Sequence, residues 1–194
     1  MAFIGMRYPV VATIATEPAN AAPTYNAGKV IGHAITGNLT ITRNNNPLYG
    51  DDVVVEDDNG ITAMSLEMGV DDLTEEVQAY MLGLKTNAGG SGGTTTYEDT
   101  SDPSPYVGVG YIRVRRLNGE TKFQANWIHK AIFSMESENS QTKGETIEWQ
   151  TPTITGRVMG IYNDNSGVAS FREKAIFETE GAARAWLNGK ANIT

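Results

Sequence analysis

Cysteine is absent from the 194 residues, which removes thiol chemistry, disulfides and structural zinc held through sulfur. Histidine occurs only twice, at His33 and His129, each alternating with apolar residues on a strand-like stretch, so each reads as a hydrogen-bonded core or interface residue. No strictly apolar run exceeds four residues, as at 79–82, whereas a membrane-spanning helix needs about 20. Lys and Arg are missing altogether between Arg43 and Lys85, where ten carboxylates occur. The formal net charge of -8 argues against a protein that holds nucleic acid by neutralising phosphates. The rest of the chain is close to balanced, with 15 basic and 13 acidic residues. One acidic region therefore sits on a neutral body, and its self-repulsion needs relief from solvent, a cation or a second molecule.

What is present is mostly period-two alternation, the pattern of half-buried strands, and it predicts a mainly β single domain over residues 1–194. Arg7, the modestly apolar residues 8–15 and Ala19-Asn20-Ala21 loosely mimic a signal peptide. Apolar residues precede the charge, however, and Pro9 and Thr13 interrupt the stretch, so residues 1–28 read as an extended arm. Ile31, His33, Ile35, Leu39 and Ile41 share one strand face, and Met64, Leu66, Met68 and Val70 share another. Residues 44–60 between them form a long acidic loop, and residues 85–104, with Gly89-Gly90-Ser91-Gly92-Gly93 near the centre, form a second one. The period changes at Leu73, Val77, Tyr80, Met81 and Leu84, which predicts a helix over about 72–84 with Asp72 as N-cap and Glu75 as its capping-box partner. Strands resume at 106–117, turn at Asn118-Gly119, and return with Phe123, Ala125, Trp127, His129, Ala131, Phe133 and Met135 on one face. A strand over 145–159, broken at Pro152, then turns at residues 163–167 into a strand over 168–177. A short helix over about 180–188 follows Thr179, with Ala182, Ala185 and Trp186 as its apolar side.

The search for chemistry returns no coherent set. Ser91 in its glycine run formally fits a nucleophile elbow, but that device needs a strand before it and a helix after it. Asp57-Asp58-Asn59-Gly60 imitates a calcium loop, yet with Gly60 at the sixth position the first and twelfth fall on Val55 and Leu66. Gly108-Val109-Gly110 runs on to Arg113 where a dinucleotide fingerprint wants glycine. The residues therefore suggest no cofactor, metal or catalytic site.

The order of the motifs carries a resemblance. Leu48-Tyr49-Gly50-Asp51-Asp52, Glu56, Gly69-Val70-Asp71-Asp72-Leu73, Glu76 and Leu82-Gly83 are followed by Val107-Gly108-Val109-Gly110-Tyr111, Trp127 and Phe133. Thr142-Lys143-Gly144-Glu145, Trp149-Gln150-Thr151-Pro152, Gly156, Ala182 and Ala185-Trp186-Leu187 complete the series. Over residues 5–190 this succession resembles the major tail tube protein of long-tailed, flexible-tailed (siphovirus-type) bacteriophages. The resemblance implies a β-sandwich or rolled barrel flanked by a helix, in a virion protein assembled in the bacterial cytoplasm. It implies hexameric rings stacked into a tube whose bore holds the tape-measure protein and then double-stranded DNA, with other tail proteins at the tube ends and no membrane insertion. Inner tubes of contractile tails and of type VI-like secretion are the neighbouring reading, and a secreted β-sandwich binding module is the rival.

Three expectations follow for the surface. The segment carrying Pro47, Leu48, Tyr49, Asp51, Asp52, Glu56, Asp57 and Asp58 should contact an adjacent subunit or ring, because it is too long and too charged for an ordinary turn. At least one of Arg113, Arg115 and Arg116, three guanidinium groups in four positions, should pair with carboxylates across a subunit boundary. A tube passing DNA should present a net negative bore, since fixed carboxylates deny phosphates a sticking point.

Overall fold

The computed structural model describes residues 2–88, 93–97, 103–117, 119–135, 151–162 and 167–194. In chain order the strands are β1 (Ala2–Thr16), β2 (Thr24–Tyr25), β3 (Lys29–Val30), β4 (Ala34–Arg43), β5 (Asn46–Gly50), β6 (Val53–Asp58), β7 (Ile61–Val70), β8 (Lys85–Ala88), β9 (Thr94–Tyr97), β10 (Val107–Leu117), β11 (Glu120–Ser134), β12 (Thr153–Met159), β13 (Ile161–Tyr162), β14 (Ala169–Ser170) and β15 (Arg172–Phe177). The helices are α1 (Glu75–Leu82) and α2 (Glu180–Ala191). The chain is mainly β, as its alternation predicts.

A large antiparallel sheet runs in the order β2-β1-β10-β11-β12-β7-β4, with β3 added to β1 and β15 to β11. Strand β11 makes the branch point: residues 123–128 pair with β15 and residues 130–134 with β12. The sheet rolls until β4 lies back beside β1, where Met6 fills the space above Gly37 so fully that a Cβ there would sit 2.1 Å from its Sδ. Inside the roll, Met64, Leu66, Met68 and Val70 meet Val109, Phe133, Ile154 and Val158, and α1 adds Val77 and Met81. Helix α2 covers the outer face of β1, β10 and β11, burying Ala183, Leu187 and Ala191 against Val10, Ile112, Ala125 and Trp127.

Several elements differ from the sequence expectation for identifiable reasons. Residues 2–16 are a sheet strand instead of an arm: Val10 and Val11 face opposite sides and both are buried, while Phe3 and Ile4 near its start stay exposed. Helix α1 starts later than predicted: its N-cap is Thr74, whose hydroxyl accepts from the Val77 N–H. Asp72 lies ahead of the cap, and the neighbouring Asp71 carboxylate accepts from the His33 and Asp72 backbone N–H groups. His33 is exposed and pairs with Asp71 at 2.8 Å, so it is not a strand-face core residue, and Ile35 is exposed with it. Helix α2 begins behind Thr179 as predicted but continues past Gly189 to Ala191. Its buried stripe is Ala183, Leu187 and Ala191, while Ala182 and Ala185 face solvent.

The single face proposed for 123–135 is in fact two. Val107 pairs with Ala131 but Val109 with Ile128, so two residues of β10 oppose three of β11 and a bulge reverses the alternation. Phe123, Ala125 and Trp127 lie under α2, whereas Ala131, Phe133 and Met135 lie inside the roll. The predicted loop 85–104 carries the β8–β9 hairpin, tied down by the Thr96 hydroxyl donating to Glu75 at 2.9 Å. Ser91, Asn118, the strand start at 145–150 with Trp149, the Thr142–Glu145 motif and residues 163–166 lie outside the described residues.

Candidate assembly surface

The predicted loop 44–60 is a two-stranded ribbon. Strands β5 and β6 pair only with each other, and the main sheet ends at Arg43 and Ile61, which face one another at its base. Two residues make the tip: Asp51 and Asp52 have φ of 50° and 62°, as a two-residue turn of primed type requires, and Asp tolerates that left-handed geometry better than most side chains. At the base the Asp58 carboxylate accepts from Asn44 at 2.8 Å and from the Gly60 N–H at 3.2 Å, and Arg43 donates to the Asn59 carbonyl at 2.9 Å. Asp58 is thus a positioning residue of the hairpin rather than a free contact.

The hairpin is apolar on both faces and covered on neither. Leu48 is 61% exposed, Tyr49 65%, Val53 65%, Val54 49% and Val55 67%. Three consecutive exposed valines in a strand are a pattern a solitary hairpin has no use for. Pro47 is half-buried; Asp51, Asp52, Glu56 and Asp57 are exposed and form no ion pair among the described residues.

The three arginines divide between two faces of β10. Arg113 and Arg115 share one face, with the Arg113 guanidinium 3.5 Å above the Phe3 ring and the half-buried Arg115 leaving its Nε without a partner. Arg116 points the other way and is exposed. None of the three pairs with a carboxylate among the described residues, so the structure does not join them to the acidic hairpin within one chain. Sequence reasoning missed their companions. Through β11, Arg172 and Lys174 of β15 reach the same face, because Tyr111 pairs with Asn126 and Asn126 with Lys174. Their i, i+2 spacing was a visible signal for a shared face, but the sheet neighbours were not visible. Partial burial first, then the charges of Arg172 and Arg113, draws the Lys174 ammonium below its ordinary range. Burial pushes the Tyr111 hydroxyl upward, partly offset by Arg172 and Arg113 beside it.

Other concave regions differ in charge. A groove of about 770 Å³ is lined by Met6, Tyr8, His33, Asp71, Asp72 and Glu180 among others. Arg7 and Arg184, also in its wall, are already paired with Glu180 at 2.7 and 2.6 Å. Among the described residues no group of three or more His, Asp or Glu side chains is arranged to hold a metal ion, and no helix is long and apolar enough to cross a membrane.

The chain matches no protein-family model and no curated protein.

His129 sits at the β11 bulge, 1% exposed, with Nε2 unpartnered 3.7 Å from the Glu173 carboxylate. Burial holds its imidazole below the ordinary value, opposed by Glu173 and reinforced by Lys190. Because the folded state resists protonation, the neutral ring contributes stability above the unfolded pKa of about 6.5, and that contribution is lost as pH falls through the lower folded value. Denaturant midpoints measured at pH 7.5 and 5.5 should fall toward the acid side in the native chain and fall less in His129→Asn. Equal slopes would remove His129 as the cause.

Proposed function

We propose that this chain is a structural subunit that polymerises with copies of itself, as a tail tube protein does, into stacked hexameric rings forming a conduit for the tape-measure protein and DNA. The observation that carries the reading is the β5–β6 hairpin, an ordered ribbon with five large apolar side chains in water. Fully burying such a side chain is worth about 1.5–3 kcal/mol, and each of these is already partly covered, so one hairpin supplies on the order of 5–10 kcal/mol when buried. Association costs about 4–15 kcal/mol, so a single contact is marginal. Repetition around a closed ring makes the assembly firm. The mainly β chain, built on one large antiparallel sheet, supports the reading at the level of fold class.

In this reading the site of action is the virion tail, ring neighbours are the main partners, and the chemistry is assembly without catalysis. Sedimentation velocity over a hundredfold range of protein concentration tests it. Species far heavier than one chain should grow with concentration, and a single monomeric boundary at every concentration would contradict the proposal.

A further inference from the structure

The basic face formed by Arg113, Arg115, Arg172 and Lys174 has four cations and no carboxylate partner among the described residues. Like charges this close repel, and the downward pull of Arg172 and Arg113 on the Lys174 ammonium expresses that repulsion. Beside them lies a cavity of about 420 Å³, walled by Phe3, Met6, Leu39, Tyr111, Arg113 and Arg172. The hairpin tip offers the complementary set: Asp51 and Asp52 exposed and unpaired, with Leu48, Tyr49 and Val53 just behind them. Its own chain does not bring the two together.

We infer that this basic face is the receptor for the hairpin tip of a second copy, with Asp51 and Asp52 meeting Arg113, Arg172 and Lys174 and the apolar stem closing over Phe3. The inference rests on the self-assembly reading and adds where the hairpin goes. Carboxylate–guanidinium pairing of this kind is charge-assisted and fixes register, while the apolar stem supplies area. The larger groove is the competing receptor; its Arg7 and Arg184 are already held by Glu180, and its Asp71 and Asp72 would repel an acidic tip. The cavity beside the basic face is also walled by Leu39 and Ile41 of β4, the strand that leads into the hairpin.

The absence of native cysteine makes a clean test available. Two double variants of the full chain are prepared, Asp52→Cys with Lys174→Cys and Asp52→Cys with His33→Cys, all at exposed positions. Each is first checked by sedimentation for assembly, then oxidised and run without reductant. A disulfide needs Cβ atoms about 3.5–4.5 Å apart, so a ladder of covalent oligomers reports the true contact. The inference expects a ladder beyond the dimer from the 52–174 pair and none from the 52–33 pair. A ladder from the 52–33 pair alone, or assembly with no ladder in either, overturns the receptor while leaving self-assembly standing. Failure of both variants and of the native chain to assemble overturns the self-assembly reading, and the receptor with it.

Discussion

Replacing residues 47–57 with a short Gly-Ser link is expected to give a folded protein that no longer associates. The hairpin shares no ladder with the main sheet, and neither hydrophobic core contains any of its side chains. Its base is closed by the Asn44 N–H donating to the Gly60 carbonyl at 2.7 Å, with Asp58 bonded to Asn44 and Gly60, and those groups stay. Stability should therefore change by no more than about 0.5–1 kcal/mol, as for surface alterations away from structural features. Association should drop by several orders of magnitude, because the five exposed apolar residues and the free carboxylates leave together. Light scattering combined with a thermal melt separates the outcomes. Assembly at the native level would show that another surface holds the polymer, and collapse of the melt would show that the hairpin is part of the fold.

The second large effect is expected at Trp127. Its ring lies edge-on to Tyr25 at 5.0 Å and fills space above two glycines. A Cβ at Gly108 would fall 2.5 Å from the indole Cζ2, and one at Gly110 would fall 2.9 Å from Cε3. The indole Nε1 donates to the Tyr25 hydroxyl at 3.3 Å, and that hydroxyl donates on to the His129 carbonyl at 2.8 Å. Burial pushes the Tyr25 hydroxyl up to about 12, so it remains a donor at any physiological pH. Trp127→Ala opens a cavity between α2 and the sheet and strips a partner from Tyr25, a loss of about 3–5 kcal/mol. For a chain of this size that lowers the melting temperature by roughly 10 °C or more. Calorimetry measures that shift, and hydrogen exchange should show α2 loosening as faster amide exchange at Leu187 and Ala191. A shift under about 2 °C would mean the helix packs without the indole.

How far the sequence exposes this design differs element by element. Strand β7 was legible because one of its faces is wholly apolar and the other is not, so Met64, Leu66, Met68 and Val70 point inward as their spacing requires. Strand β1 was not legible as a sheet strand, because α2, which covers one of its sides, lies some 170 residues later. The bulge in β11 leaves no compositional mark: Trp127 and Phe133 have the same parity and occupy different cores. For the candidate surface, the length and charge of 44–60 marked an unusual segment. That it pairs with itself depends on Asp51 and Asp52 both adopting positive φ, a conformation their types permit without demanding. The basic face required sheet order as well as spacing, so Arg113 and Arg115 were visible while Arg172 and Lys174 were not. Arg116, adjacent in sequence, turns out to face elsewhere.

The central claim is that copies of this chain build a hollow polymer. Negative-stain electron microscopy of the purified chain at high concentration tests it most directly, with the 47–57 replacement imaged beside it. The account predicts rings or stacked tubes with a stain-filled channel for the native chain and isolated small particles for the replacement. A field of single small particles from the native chain at every concentration, or closed aggregates without a channel, would contradict it.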